Sequence, residues 1–143
     1  MILFGDTLGI NLILQTIDVN QVKAIVGASI RPQYLKELQR ITKQNNIPFF
    51  IQPKSNEPEY KNFIKKLEVL KPNLFLINSY SMILKKQLLN IPKINTLNIH
   101  AGLLPKNRGC NPIQWGIINE DKYAGVSLHE VDEGIDTGAI IDQ

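Results

Sequence analysis

The chain has 143 residues and a mass of 16.2 kDa, which is the size of one domain. Its 43% hydrophobic and 20% charged residues are typical of a soluble globular protein and exclude a chain that is disordered throughout. Its formal net charge of +3 comes from scattered lysines and only three arginines, which does not fit the clustered basic footprint of a nucleic-acid-binding protein. The single cysteine, Cys110, excludes an internal disulfide, and no apolar run approaches the ~20 residues of a membrane span, so we expect one cytoplasmic domain with no membrane partner.

Short apolar runs alternate with stretches of helical periodicity over the first ninety or so residues. The apolar runs predict buried strands at Met1 to Phe4, Val22 to Val26, Pro48 to Ile51 and Leu74 to Ile77. The periodic stretches predict helices at Leu8 to Ile17, Arg31 to Asn46, Glu59 to Leu70 and Ile83 to Leu89. This alternation favours an α/β fold with a mainly parallel sheet and helices on both faces, in which ligands bind at the carboxyl ends of the strands.

The last third of the chain is rich in Gly, Pro, Asn and His, as expected of a site-bearing region. Residues 95 to 100 predict a strand in which Asn98 and His100, two positions apart, share a face. A helix opens at Asn111-Pro112, and a strand follows at Val126 to Val131. The glycine-flanked turn from Asp132 to Gly138 then leads to a final apolar run at 139 to 141.

A carboxamide, an imidazole and a carboxylate together suit acyl transfer to an amine. Asn98 can stabilise the oxyanion, and His100 can move a proton near neutral pH. Asp136, in the glycine-flanked turn, can orient the ring and stabilise its charged form. Spacing makes Asn98 and His100 neighbours, whereas Asp136 reaches them only if the topology brings the turn to the end of their strand.

The same region carries a continuous set of motifs. They are Asn98-Ile99-His100, Leu103-Leu104-Pro105, Arg108-Gly109, Pro112 with Trp115, and the run from Asp132 to Gly138. In order and spacing they resemble the signature of the formyltetrahydrofolate-dependent formyltransferases, a Rossmann-like group. This group includes methionyl-tRNA formyltransferase, glycinamide ribonucleotide transformylase and the sugar N-formyltransferases. The resemblance is to the catalytic N-terminal domain and implies formyltetrahydrofolate as co-substrate, with no metal.

The resemblance also implies roles for individual residues. Asn98, His100 and Asp136 match the catalytic positions. The segment after the Leu74 to Ile77 run is similar to the folate-pocket segment of the family, although Lys85 stands where many members have proline. The implied folate-binding residues are Met82, Ile83, Leu84, Asp132, Glu133, Gly134 and Ile135. Substrate contacts are expected from Thr7 and Gly9 in the first loop, which offers backbone donors to a phosphate, and from Arg108, Gly109 and Trp115.

Several residues have a simpler interpretation. We expect His129 to be a structural histidine. Cys110 has no assigned base and is expected to be a small packing residue. Trp115 is expected to be a core residue, with a wall of the substrate cleft as the alternative. The acids at 132, 133 and 136 lack the twelve-residue spacing of a calcium loop, so we expect no metal there.

We therefore expect formyl transfer to a small-molecule primary amine, first of all a nucleotide-linked amino sugar. One alternative is the core of a methionyl-tRNA formyltransferase, with tRNA as partner, and another is a non-catalytic folate- or nucleotide-binding module. The chain is expected to be a single catalytic domain over residues 1–143, truncated or minimal at its C-terminus. An uncovered sheet edge would then favour a homodimer.

Overall fold

A computed structural model describes all of residues 1–143 and contains one seven-stranded sheet with five α-helices. In chain order the elements are β1 (Ile2–Gly5), α1 (Thr7–Leu14), β2 (Ala24–Ala28), α2 (Pro32–Gln44), β3 (Phe49–Gln52), α3 (Glu59–Val69), β4 (Leu74–Asn78), α4 (Lys86–Leu89), β5 (Asn95–His100), α5 (Pro112–Ile118), β6 (Ser127–Glu130) and β7 (Ile140–Asp142). A short 3₁₀ helix at Val19–Gln21, which the sequence did not predict, precedes β2.

The strands lie in the order β3-β2-β1-β4-β5-β6-β7. Neighbouring strands from β3 to β5 pair in parallel, which confirms the prediction of a mainly parallel sheet. β6 and β7 add two antiparallel strands to the β5 side, a feature that periodicity did not indicate. The antiparallel register sets His129 opposite Asn98, so β6 contributes a side chain to the end of β5.

The sheet separates two apolar cores because successive side chains on each strand point to opposite faces. Ile2 and Phe4 of β1 belong to the core beneath α3 and α4, whereas Leu3 lies in the core beneath α1 and α2. The rings of Phe4 and Phe75 pack in the first core with their centroids 4.9 Å apart and their planes tilted by 55°. Helices therefore cover both faces, as predicted.

Two predicted elements differ in the structure. The helix expected from Ile83 is limited to α4, because residues 79–85 form a loop that turns Leu84 into the core and leaves Ile83 exposed. The apolar residues of α5, including Trp115 and Ile117, do not form core: no residue of α5 is buried.

β3 and β7 are the two edges of the sheet, and the homodimer stays a prediction. None of the helices has the length and apolar character needed to cross a membrane.

Tyr80 anchors the loop that follows β4. Its hydroxyl donates to Oε1 of Gln52, a buried residue at the end of β3, at 2.8 Å, and its ring packs edge-on against Phe4. Burial raises the pKa of the Tyr80 phenol well above its ordinary value. The folded state therefore favours the neutral phenol. The contribution of this group to folding stability is complete below the ordinary tyrosine pKa of about 10 and is lost as the pH rises from there through the raised pKa of Tyr80.

Replacing Tyr80 with phenylalanine should destabilise the fold by about 1–3 kcal/mol, because the buried Gln52 carbonyl loses its donor. Equilibrium urea unfolding of wild type and Tyr80→Phe at neutral pH measures the difference. Tyr123→Phe is the matched control, since the side chain of Tyr123 is exposed. Equal midpoints for Tyr80→Phe and wild type would show that this hydrogen bond does not hold the loop.

Candidate active site

Asn98, His100 and Asp136 meet at the carboxyl end of β5. Asn98 and His100 lie in the last three residues of β5, and Asp136 lies in the loop that follows β6. Nδ1 of His100 is 3.5 Å from Oδ2 of Asp136, and Nδ2 of Asn98 is 3.4 Å from Oδ1 of the same carboxylate. The topology thus brings together the two neighbours on β5 and the carboxylate that spacing alone did not place.

Asp136 is held by its own turn and by the loop after β5. Its backbone has φ of 51°, in the left-handed region that Asp adopts more readily than most residues. Gly109, itself at φ of 88°, donates its N–H to Oδ2 of Asp136 at 2.8 Å. A Cβ on Gly138 would lie only 2.0 Å from the carbonyl oxygen of Glu130, so the turn can pass β6 only with glycine there.

Asp132 closes the start of the same turn. Its Oδ1 accepts hydrogen bonds from the Thr137 hydroxyl at 2.5 Å and from the Gly134 N–H at 2.9 Å. These bonds, the one from Thr137 first, lower the pKa of the Asp132 carboxyl. The turn is therefore braced internally across the residues that flank Asp136.

His129 is a site residue that the sequence analysis missed. It is 1% exposed, and its Nε2 lies 3.1 Å from Nδ2 of Asn98 and 3.4 Å from Oδ1 of Asp136. The expectation of a purely structural histidine is therefore incomplete, because its ring contacts two of the three predicted catalytic side chains. The only available signal was its place on the strand before the Asp136 turn, and that becomes informative only with the antiparallel register.

Backbone carbonyl groups orient both imidazoles. Nε2 of His100 is 2.6 Å from the carbonyl oxygen of Asn107, and Nδ1 of His129 is 2.6 Å from that of Glu130. A carbonyl oxygen only accepts, so each of these nitrogens must carry a hydrogen. The other nitrogen of each ring then faces Asp136, and in the neutral rings it has no hydrogen to donate.

The two implied folate segments adjoin each other. Lys86 and Glu133 form an exposed ion pair at 3.1 Å, and Val131 packs against the core that contains Leu84. Ile83 and Ile135 are 60% and 61% exposed, whereas Leu84 is buried and serves packing. Met82 is half-buried and approaches Ser29 with its sulfur at 3.9 Å from the hydroxyl.

The residues expected to contact the amine substrate differ in their surroundings, and some of their polar groups already have partners in the fold. Asp6 caps α1 and accepts the N–H of Gly9 at 2.9 Å, so the phosphate expected at Thr7 and Gly9 would have to compete with a carboxylate. Gly109 uses its N–H on Asp136. Arg108, in the loop between β5 and α5, and Trp115, on α5, are both exposed. Cys110 in the same loop is exposed as well, so the prediction that it is a packing residue is wrong.

Comparison with known proteins identifies the family. The sequence model of the family described as formyl transferase matches residues 1–143. The chain belongs to the formyl transferase family. Among curated relatives, the methionyl-tRNA formyltransferase of Thermodesulfovibrio yellowstonii is 44% identical over 105 residues, which are 73% of this chain and 33% of the relative. The chain thus spans about a third of the length of that relative.

Solved structures of formyltransferases share the fold. The phosphoribosylglycinamide formyltransferase from Bacillus halodurans superposes with a TM-score of 0.80 at 26% identity, covering 98% of this formyl transferase chain and 75% of that one. A sugar N-formyltransferase from Shewanella sp. FDAARGOS_354 superposes with a TM-score of 0.70 at 22% identity, covering 97% and 53%. The latter likeness concerns the fold alone.

The two histidines of this formyl transferase should carry their hydrogens on opposite nitrogens when neutral. We expect His100 as the Nε2–H tautomer and His129 as the Nδ1–H tautomer, because those nitrogens face backbone carbonyl groups at 2.6 Å. Long-range ¹H–¹⁵N correlation spectra of the histidine rings report the tautomers. The chain has only two histidines, so His129→Gln assigns the signals. Finding both rings in one tautomer would contradict this geometry.

Proposed function

We propose that this chain transfers a formyl group from formyltetrahydrofolate to a primary amine. The observation that carries the proposal is the meeting of Asn98, His100 and Asp136 at one strand end in a member of the formyl transferase family. Amine attack on a formyl carbon needs a donor for the charge that develops on oxygen and an acceptor for the proton released by nitrogen. The three side chains provide both.

His100 and Asp136 handle the proton in this proposal. Nε2 of His100 is bound to the Asn107 carbonyl, so Nδ1 is the nitrogen free to accept the proton of the attacking amine. Once protonated there, the ring faces Oδ2 of Asp136 at 3.5 Å, and the carboxylate stabilises the imidazolium. Collapse of the tetrahedral intermediate then breaks the bond between the formyl carbon and the folate nitrogen, and the proton held by His100 passes to that leaving nitrogen. The Gly109 N–H keeps that oxygen in place during the transfer.

Asn98 supplies the donor for the developing oxyanion. Its Nδ2 carries two hydrogens, and the contacts to His129 at 3.1 Å and to Asp136 at 3.4 Å account for both. The contact to Asp136 is long for a hydrogen bond, so the formyl oxygen can replace Asp136 as acceptor of this N–H at little cost. His129 retains the other N–H and so orients the amide.

In this proposal the formyl donor binds between the 79–85 loop and the 131–138 turn. Exposed Ile83 and Ile135 offer apolar surface on neighbouring loops, and Ile135 directly precedes Asp136. A flat heterocycle bound between them would present its formyl group to the catalytic side chains. Backbone groups of Met82, Asp132, Glu133 and Gly134 are within the same two segments and would pair with the edge of the ring.

The acceptor in this proposal is an amine carried on a nucleotide. Exposed Arg108 can pair with a phosphate, and Trp115, 52% exposed on α5, can stack on a base. A nucleotide-linked amino sugar and the aminoacyl-adenosine end of methionyl-tRNA share this chemistry. We place the amino sugar first because the basic residues are scattered, whereas the 44% identity to a methionyl-tRNA formyltransferase favours the second candidate.

Changing any of the three candidate catalytic side chains should slow transfer without preventing folding. We expect His100→Asn and Asp136→Asn to lower kcat roughly 10² to 10⁴-fold, and Asn98→Ala roughly 10² to 10³-fold, with folate affinity nearly unchanged. Steady-state kinetics and calorimetric folate titration separate these effects. Glu59→Gln, an exposed change on α3, is the control. Transfer that survives the loss of His100 would contradict its role as proton acceptor.

An acceptor screen distinguishes the candidates. Nucleotide-linked amino sugars and methionyl-tRNA are incubated separately with formyltetrahydrofolate and the chain, and products are analysed by mass for an added formyl group. We expect formylation of an amino-sugar nucleotide. Formylation of methionyl-tRNA alone would select the second candidate, and folate binding without transfer to any amine would indicate a non-catalytic binding module.

A further inference from the structure

Asp121, in the turn after α5, binds two consecutive residues of the loop that follows β5. Its Oδ1 pairs with the Lys106 ammonium, and its Oδ2 accepts the Asn107 side-chain N–H at 2.9 Å. The Asp121 side chain is only 7% exposed, whereas that of Lys106 is mostly in solvent. Hydrogen bonds from Lys106 and then from Asn107 lower the pKa of the Asp121 carboxyl.

Asn107 connects this carboxylate to the catalytic centre. Its side chain binds Asp121 while its backbone carbonyl accepts the hydrogen on Nε2 of His100 at 2.6 Å. Asn107 is itself buried, and its Cβ and carbonyl oxygen pack closely against Gly102. The position of the Asn107 peptide therefore determines both the ring orientation of His100 and the nitrogen that carries its hydrogen.

The loop has a second fixed point at residues 102–104, which meets Asn107 through the hydrogen bond from the Asn107 N–H to the Leu103 carbonyl at 3.1 Å. The Ser127 hydroxyl accepts the Leu104 N–H at 3.0 Å and donates to the Gly102 carbonyl at 2.7 Å. These bonds hold residues 102–104 against β6. The stretch from 106 to 109, which carries the Asn107 carbonyl and the Gly109 N–H, depends instead on Asp121 and Asp136 for side-chain contacts.

We propose that Asp121 is a positioning residue for formyl transfer, which acts through Asn107 to keep Nδ1 of His100 directed at Asp136. This inference rests on the proposed function. The Asp121 carboxylate binds the Asn107 side chain, whereas Asp136 binds the loop at the Gly109 N–H. Without it the peptide relaxes, the Nε2–H to carbonyl bond weakens, and the alternative tautomer with a hydrogen on Nδ1 becomes populated.

The test measures His100 directly and the reaction separately. Asp121→Asn keeps the size of the side chain but removes its charge, and Glu120→Gln makes the same charge change on the adjacent exposed residue. We expect Asp121→Asn to lower kcat about 10- to 100-fold with an unchanged KM for the amine, as for a misplaced catalytic group. In ring ¹⁵N spectra, His100 should become a mixture of tautomers in Asp121→Asn, and Glu120→Gln should match wild type in both measurements.

Asn107→Ala gives a second variant in case Asp121→Asn does not fold. It removes the link and keeps the carbonyl, so it should also produce mixed His100 tautomers. The double variant should be no worse than the more affected single variant, because both interrupt one chain of contacts. A wild-type His100 tautomer in both folded single variants, or additive losses in kcat, would overturn the proposal. The spectra require no substrate, so they remain decisive even if the proposed acceptor or reaction is wrong.

Discussion

The carboxylate of Asp136 is the contact on which the other site residues depend. One oxygen accepts the Gly109 N–H and faces His100, and the other faces His129 and Asn98. Four groups from β5, β6 and the 101–109 loop therefore converge on one side chain. Because both histidines give their one hydrogen in the neutral form to a backbone carbonyl, only a second proton on the ring makes either histidine a donor to this carboxylate.

The antiparallel end of the sheet brings His129 into this convergence. Because β6 is antiparallel to β5, it ends toward the amino end of β5, where the Val131 N–H donates to the Thr96 carbonyl at 2.9 Å. Here β6 runs back along β5, sets His129 opposite Asn98, and delivers the 131–138 turn only after passing it. The turn then reaches the carboxyl end of β5 because Asp136 folds back in a left-handed backbone conformation and Gly138 passes close to the Glu130 carbonyl.

Sequence patterns predicted the parts of this structure that follow a local period. Buried strands and amphipathic helices gave the parallel sheet and its two covered faces, and two-residue spacing placed Asn98 beside His100. His129 could not be assigned because its contacts depend on a register between strands 31 residues apart. The apolar residues of α5 resembled a core stripe, yet the helix lies on the surface, since periodicity cannot show which apolar face finds a partner. Asp121 carried no signal because its partners lie across a loop.

Burial divides the site into a fixed centre and an open rim. The side chains of His129, His100 and Asp136 are only 1%, 7% and 15% exposed, and the fixed hydrogen of each neutral imidazole is bound to a backbone carbonyl. Arg108, Trp115, Ile83 and Ile135 are exposed and have few polar partners. Substitutions at the rim would leave the hydrogen bonds of the centre in place, because the two sets share no hydrogen bonds. In the proposed function the buried centre carries the reaction and exposed side chains on α5 and its preceding loop contact the acceptor, at positions where substitutions cost little stability.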